Sequence, residues 1–188
     1  MAEKEQETIR FGQTLGEGDF ASAWRALNHC ASPWRRRMVR AGVCATAALA
    51  VALFLPVYRR HFASAVLPAV LICAFVVAAA AFFFLQPVTE GRRSQKAYRS
   101  CGLLAQPSQF CIRQDRAEWK SRYESCTEYW TDFLFCAETP TLFVAAGGFQ
   151  RGILVMKKSG LAEGERKRLA LLLSGAFAGR YYVLKRDV

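Results

Sequence analysis

The sequence predicts a membrane α-helical hairpin joined to a small α+β cytoplasmic domain, in which an antiparallel β meander is closed by a C-terminal helix. Two uncharged stretches, Ala41–Tyr58 and Phe62–Leu85, are separated only by Arg59-Arg60-His61. From Gln109 onward the spacing of apolar residues changes from helical towards alternation, which is typical of short strands. An amphipathic stretch follows at Leu161–Phe177, and its apolar side predicts a helix that packs on the sheet.

The N-terminal segment, residues 1–37, is predicted to form a short strand and a helix. Thr8–Leu15 has a broadly alternating apolar pattern, which favours an edge strand. Gly16-Glu17-Gly18 is expected to form a turn. Asp19 is a good N-cap for a helix that reaches about Ala31, because its carboxylate can accept hydrogen bonds from the first free backbone N–H groups.

Each uncharged stretch is long enough to cross a bilayer. At a rise of about 1.5 Å per residue, the first spans roughly 27 Å and the second roughly 36 Å, against a hydrocarbon core about 30 Å thick. Neither stretch has the polar stripe that a core helix of a soluble protein normally shows. The sequence therefore predicts a transmembrane hairpin over residues 38–88. A buried hairpin of a soluble protein and a cleaved signal peptide are the less favoured interpretations.

Three features of the predicted spans bear on their packing and their role. Pro56 lies at the end of the first span, where a lost backbone hydrogen bond costs little, and Pro68 is expected to kink the second. Neither span carries an internal charge of the kind that marks an ion path. A row of small residues could pack the two spans together or contact a second copy: Gly42, Thr46 and Ala50.

Basic residues flank the predicted hairpin on both sides and set its orientation. Positively charged flanks stay on the cytoplasmic side of a membrane, so both termini are expected in the cytoplasm and the short turn outside. The chain is thus predicted to be a multi-pass protein of the plasma (inner) membrane. The same flanking residues are the candidate contacts for anionic lipid headgroups: Arg35, Arg36, Arg37, Arg40, Arg92, Arg93, Lys96 and Arg99.

Residues 89–108 are predicted to connect the hairpin to a β domain, residues 109–188. Gln86-Pro87 is expected to end the second helix, and Gly91–Cys101 to form a polar, basic helical connector. A turn is expected over Asp115-Arg116-Ala117-Glu118. Strands are expected around Phe110 and Ile112, and at Trp119–Ser125, Glu128–Ala137, Leu142–Ala146 and Gly152–Lys157.

The last predicted element is the amphipathic helix at Leu161–Phe177. Its leucines share one side and its charged residues the other, and such a helix usually covers the open apolar face of a small antiparallel sheet. We also expect Thr8–Ala31 and Gln109–Phe177 to lie on the same side of the membrane and to pack together. The hairpin is then an insertion in one cytoplasmic module.

The chain of 188 residues has a formal net charge of +11. Much of this charge clusters beside the predicted spans, where anionic headgroups attract Lys and Arg by roughly 1 kcal/mol each. A nucleic-acid module with base-stacking aromatic residues among basic ones is not recognisable in the sequence. The lipid bilayer is therefore the predicted partner, and nucleic acid is not expected.

The sequence contains no pattern that predicts a catalytic, metal or cofactor site. Its seven cysteines include no C-x-x-C pair and fit no zinc module, so they are interpreted as structural thiols. The two histidines, His29 and His61, lie on opposite sides of the membrane in this topology. No nucleophile-elbow, phosphate-loop or dinucleotide motif occurs. The carboxylates of the meander are expected on its solvated face: Asp115, Glu118, Glu124, Glu128 and Asp132.

The order of elements resembles that of the YcxB-like proteins of bacteria. Trp119 resembles the Trp of the Trp-x-x-hydrophobic segment that starts the central strands of that family. Gly152–Lys158 resembles its hydrophobic-Pro-Lys-Arg strand before the last helix, with Met156 in place of the proline and Gly148–Arg151 lengthening the preceding turn. The resemblance implies a pleckstrin-homology-like β domain, capped by a helix and held at the cytoplasmic face. It implies no enzymatic activity.

These patterns together predict a membrane-anchored binding, scaffolding or regulatory module rather than an enzyme. A membrane-tethered enzyme is the alternative, and a deep pocket lined by Glu124, Glu128 or Asp132 with a basic partner would favour it. A small accessory subunit of a membrane complex is a third interpretation. A protein partner or a second copy could bind through the spans.

Overall fold

The computed structural model describes residues 8–31, 37–62, 64–148 and 152–185. The chain divides into two compact units. The first combines Met1–Cys30 with Ser94–Val188, and the second is Ala31–Arg93. The first unit is therefore assembled from segments on both sides of the second. This agrees with the expectation that Thr8–Ala31 packs with the C-terminal part of the chain.

The N-terminal segment contributes one strand and one helix to the first unit. Strand β1 is Ile9–Gln13, and helix α1 is Glu17–Ala31. The helix begins at Glu17, so the expected turn at Gly16-Glu17-Gly18 was wrong. The reason is the position of Asp19, whose Oδ2 accepts a hydrogen bond from the Gly16 N–H at 2.9 Å. Asp19 thus caps the helix from within its first turn rather than from before it.

Four antiparallel strands form the first sheet, in the order β1-β2-β3-β4. Strand β2 is Ser108–Ile112, β3 is Arg116–Lys120 and β4 is Ser125–Tyr129. The turn expected over 115–118 lies two residues earlier, where the Arg113 N–H donates to the Arg116 carbonyl at 2.9 Å, and β3 begins at Arg116. The strand expected over Trp119–Ser125 is interrupted by a second turn, in which the Ser121 N–H donates to the Glu124 carbonyl at 2.8 Å. That second turn contains neither Gly nor Pro, so it has no strong local signal in the sequence.

Four strands form the second sheet, in the order β7-β6-β5-β8. Strand β5 is Phe135–Glu138, β6 is Leu142–Ala146, β7 is Ile153–Lys157 and β8 is Tyr181–Val183. Strands β6 and β7 confirm the expected positions. The predicted strand over 128–137 is instead split, because Trp130–Asp132 forms a 3₁₀ turn between β4 and β5. The meander is also not wholly antiparallel, since β8 pairs with β5 in parallel.

Helix α4, Glu163–Ala176, closes the fold as predicted. The side chains of Leu161, Leu169, Leu173 and Phe177 are all buried in one core cluster with inward residues of both sheets. A second cluster joins the other face of the second sheet to α1, through Ala23 and Leu27 on the helix. Strand β6 is consequently buried along its whole length.

The second unit is a helical hairpin. Helix α2 is Arg37–His61, and helix α3 is Val66–Ser100, whose end from Ser94 belongs to the first unit. The expected end of the second helix at Gln86-Pro87 was wrong, because α3 continues through Pro87. A proline inside a helix removes one backbone hydrogen bond, and membrane helices tolerate this loss.

The apolar side chains of α2 and α3 are largely uncovered. Leu53 is 70% exposed and Phe84 is 67% exposed, whereas a core helix of a soluble protein would bury such residues. The covered residues of α2 form a stripe at helical spacing that includes Cys44, Ala48 and Val51. The small-residue row lies outside that stripe, and its members are all exposed: Gly42, Thr46 and Ala50. The row does not pack the two helices together.

Candidate functional site

Two of the basic residues predicted to contact lipid, Arg35 and Arg36, lie outside the described residues. Arg37 is the first residue of α2. Arg40 lies over the ring of Phe82 in α3, with its guanidinium carbon 5.7 Å from the ring centroid. Such a contact favours the cation over an aromatic face and fixes the start of α2 against α3.

The other four predicted lipid contacts lie on the polar end of α3 and are exposed. Arg92, Lys96 and Arg99 follow one another at helical spacing and share one side of the helix. Arg99 forms an ion pair with Glu17 of α1, with Nη2 3.5 Å from Oε2. In the part of the chain that the structure describes, Arg92, Arg93 and Lys96 form no ion pair, so their charges are directed to solvent or to a partner.

The polar end of α3 is held to α1 by an aromatic cluster. The Tyr98 hydroxyl donates a hydrogen bond to the Leu15 carbonyl at 2.7 Å. The Tyr98 ring lies 5.9 Å from that of Phe20, which in turn lies 6.1 Å from that of Trp24. The last turns of α3, from Ser94 onward, are thus a fixed part of the first unit.

The carboxylates on which an enzymatic interpretation depended do not line a cleft together. Glu128 is only 1% exposed, so the expectation that it lies on the solvated face was wrong. It belongs to the inward-facing residues of β4, as does Cys126. Asp132 is exposed in the 3₁₀ turn. None of the described depressions is lined by Glu124, Glu128 or Asp132.

The outer face of the first sheet carries depressions that open to solvent. Two adjoining depressions, of about 610 and 570 Å³, share Gly12, Gln109 and Lys120 and open to solvent. We call the continuous surface the outer trough, and it is defined by these residues: Arg10, Gly12, Gln109, Lys120, Ser121 and Arg122. The register of β1, β2 and β3 brings the outward residues of these strands together on this face.

An ion-pair network lies at one end of the outer trough. Glu118 Oε1 accepts a hydrogen bond from Arg116 Nε at 2.8 Å and lies 3.5 Å from Arg113 Nε. Arg116 Nη1 also lies 3.2 Å from Asp115 Oδ2. The hydrogen bond that Arg116 donates to Glu118 is the main cause that raises the pKa of Arg116. Both carboxylates are therefore engaged within the domain.

A second charged cluster fastens β8 to the rest of the domain. Glu138 Oε1 accepts a hydrogen bond from Lys158 Nζ at 2.6 Å, and its Oε2 accepts one from the Tyr181 hydroxyl at 2.5 Å. Lys158 Nζ also lies 4.5 Å from the centroid of the Phe143 ring. Burial, and then the Glu138 carboxylate, raise the pKa of Tyr181. This cluster was not predicted. Tyr181-Tyr182-Val183 consists of residues that favour strands, but a run of three does not indicate which strand it joins.

The seven cysteines all lie in the described ranges, and none of them forms a disulfide. Burial raises the pKa of Cys136 to about 12, so its thiol is a poor nucleophile. Among the described residues, no group of three His, Cys, Asp or Glu side chains is placed to share a metal ion.

The geometry defines a class of protein: an α+β domain with an apolar helical hairpin inserted between its first two strands. Helices α2 and α3 are both long and apolar enough to cross a membrane. Comparison with protein-family models, curated proteins and solved structures gave no match to this chain. The resemblance to YcxB-like proteins therefore stays a prediction.

Proposed function

We propose that this chain is a membrane-anchored binding module of the plasma membrane. The hairpin of α2 and α3 tethers the α+β domain at the cytoplasmic face, and the basic end of α3 attracts anionic headgroups. The domain presents its outer surface to a protein partner, as a scaffold or as a regulatory subunit. No specific observation favours a membrane-tethered enzyme over this function.

The pairing of β1 with β2 carries this proposal. The two strands lie on opposite sides of the hairpin in sequence, and they pair antiparallel from Ile9 with Ile112 to Gln13 with Ser108. Strands that exchange backbone hydrogen bonds cannot lie on opposite sides of a bilayer. If the chain crosses the membrane between β1 and β2, it must cross a second time to reach the same side again. Two spans provide this second crossing.

The distribution of basic residues supports the cytoplasmic side for the domain. Four candidate basic residues precede or begin α2 and four lie on the polar end of α3, whereas the short turn contributes Arg59 and Arg60. Cytoplasmic flanks are enriched in Lys and Arg. Each exposed cation near an anionic leaflet is attracted by about 1 kcal/mol, and Arg92, Arg93 and Lys96 lie within about three helical turns of Pro87.

The strand order supports a pleckstrin-homology-like class for the domain. Four antiparallel strands are followed by three more and then by α4, with α1 and the hairpin inserted after β1. This is the arrangement that the resemblance to YcxB-like proteins implies. The parallel strand β8 is an addition to it.

The topology is tested by epitope tags on the full-length protein in intact cells. We expect a tag inserted after Arg60 to be accessible to antibody from outside the cytoplasm, and tags at either terminus to be protected until the membrane is permeabilised. A terminus that is accessible in intact cells would contradict the proposed orientation.

The attraction to anionic lipid is tested by native mass spectrometry of the full-length protein released from nanodiscs that contain phosphatidylcholine and phosphatidylglycerol. We expect the double variant Arg92→Gln with Lys96→Gln to retain less phosphatidylglycerol than the unmodified protein. The matched control is Lys167→Gln with Lys185→Gln, which removes the same charge from exposed positions elsewhere. Equal losses in both variants would show that net charge, not the α3 cluster, holds the lipid.

A further inference from the structure

The strand register of the first sheet places basic, acidic and uncharged side chains next to one another on its outer face. Arg10 pairs with Cys111, Cys111 with Glu118 and Glu118 with Thr127 in one row. Gly12, Gln109, Lys120 and Ser125 form the next row in the same way. The second row has an amide, a hydroxyl and a cation, but no carboxylate.

Gly12 has no side chain, so the surface of the sheet is lower at this end of the second row, which we call the low row. A Cβ atom added at Gly12 would meet no heavy atom within 4 Å, so the space above this residue is open. The two depressions of the outer trough join here. A pocket for a small molecule is usually enclosed and largely apolar. The outer trough is instead open to solvent, and its lining mixes polar and apolar surface in similar amounts. An open, elongated surface of this kind fits an extended chain segment.

The charge of this surface is positive. Arg10, Lys120 and Arg122 form no ion pair with any residue in the described ranges, and all three are exposed. Glu118 and Asp115 are engaged by Arg113 and Arg116. On and around this face five cations accompany three carboxylates: Arg10, Arg113, Arg116, Lys120 and Arg122 with Asp115, Glu118 and Glu124.

We propose that the outer trough docks an acidic, extended peptide segment of a protein partner. The inference rests on the proposed binding function and names the chemistry of its partner. Carboxylates of the segment lie against Lys120, Arg122 and Arg10, and its backbone lies over Gly12, beside the free side-chain amide of Gln109. A flat bilayer would not reach the low row. Single-stranded nucleic acid would need aromatic platforms, and the row from Gly12 to Ser125 contains none.

The test is selection of random peptides on the full-length protein in phosphatidylcholine nanodiscs, followed by fluorescence anisotropy of the enriched peptides. We expect the enriched peptides to be acidic. Lys120→Glu should weaken their binding by about tenfold or more, since it replaces an attraction with a repulsion. Lys185→Glu makes the same charge change at an exposed position outside the trough and should alter binding by less than about twofold.

A pair of variants at Gly12 tests the shape. Gly12→Trp fills the low row and should abolish binding of the same peptides, whereas Gly12→Ala points its methyl group into open space and should retain it. The urea midpoint of each variant shows that the domain is folded, and Lys120→Glu provides the second assay if Gly12→Trp unfolds.

Three results would overturn the proposal: no enriched peptide, enriched peptides that are not acidic, or binding that Lys120→Glu and Gly12→Trp leave unchanged. Displacement of the peptide by an oligonucleotide more strongly than by an unlabelled acidic peptide would assign the surface to nucleic acid instead. Phosphatidylcholine has no net charge, so a negative result for peptide binding does not affect the tests of anionic-lipid binding and of topology. A negative result in those two tests likewise does not affect the interpretation of peptide binding.

Discussion

The backbone N–H of Lys157 donates a hydrogen bond to the side-chain Oε1 of Gln13 at 2.7 Å, although the two residues are 144 positions apart. The Nε2 of the same amide donates to the Val155 carbonyl, also at 2.7 Å. Gln13 lies at the end of β1, and β7 is an edge strand of the other sheet. One amide side chain thus pairs with the open edge of β7 and ties the two sheets together.

Replacing Gln13 with Ala should therefore destabilise the domain. The substitution removes two partly buried hydrogen bonds. The Lys157 N–H and the Val155 carbonyl at the edge of β7 then lose their partner, which costs about 2 kcal/mol. The measurement is urea unfolding of the full-length protein in detergent, followed by the fluorescence of buried Trp119 and Trp130. Gln109→Ala is the matched control, because its exposed amide lies on the outer face, and its urea midpoint should not change.

Gly148→Ala should destabilise the domain through crowding. A Cβ at Gly148 would lie 2.5 Å from Glu128 Oε2 and 2.6 Å from Phe133 Cε1. Cβ atoms in real proteins essentially never come this close to another heavy atom. Overpacking of a buried site typically costs about 1–3 kcal/mol. The same urea titration measures this loss, and Gly12→Ala serves as the control in open space. An unchanged midpoint for Gly148→Ala would contradict the close packing of Glu128.

Glu138→Gln should cost more than the loss of an exposed ion pair. The side chains of Lys158 and Glu138 are 14% and 20% exposed, so this pair is partly buried. Removing one partner leaves the other charge without its hydrogen bond, at a cost of about 2 kcal/mol. Glu163→Gln removes the partner of Lys167, where both side chains are about three quarters exposed. We expect that control to lose less than about 0.5 kcal/mol. Comparable losses in the two variants would show that the Glu138 cluster is solvated.

Stability should fall at high pH because of Cys136. Burial raises the pKa of its thiol from 9.0 to about 12, so the folded domain holds this proton more tightly than the unfolded chain. The contribution is complete below about pH 9 and is lost as the pH rises towards 12, because only the unfolded thiol then ionises. Tyr181, whose pKa is also raised, acts in the same direction at higher pH.

The measurement is the urea midpoint of the full-length protein at several pH values between about 8 and 11. Cys136→Ala lacks the titrating thiol, so its midpoint should depend less steeply on pH than that of the unmodified protein. Parallel curves for the two proteins would assign the loss of stability to other groups.

The local patterns of the sequence predicted the elements with strong periodicity. Apolar length predicted the helical hairpin, alternation predicted β6 and β7, and amphipathic spacing predicted α4. Boundaries failed where the local sequence signal was absent or misleading. The turn after Lys120 has no Gly or Pro, and α3 runs through Pro87.

The sequence by itself determined that the chain has two apolar helices, a small β domain and a closing helix, because burial along one element depends on residues close together in the chain. Only the tertiary structure decided that β1 pairs with β2 across the hairpin, that β8 joins β5 in parallel, and that Glu128 faces inward. It also decided that Arg10, Gly12 and Lys120 share the outer trough. These features depend on strand register between segments far apart in sequence, and periodicity within one segment does not encode that register.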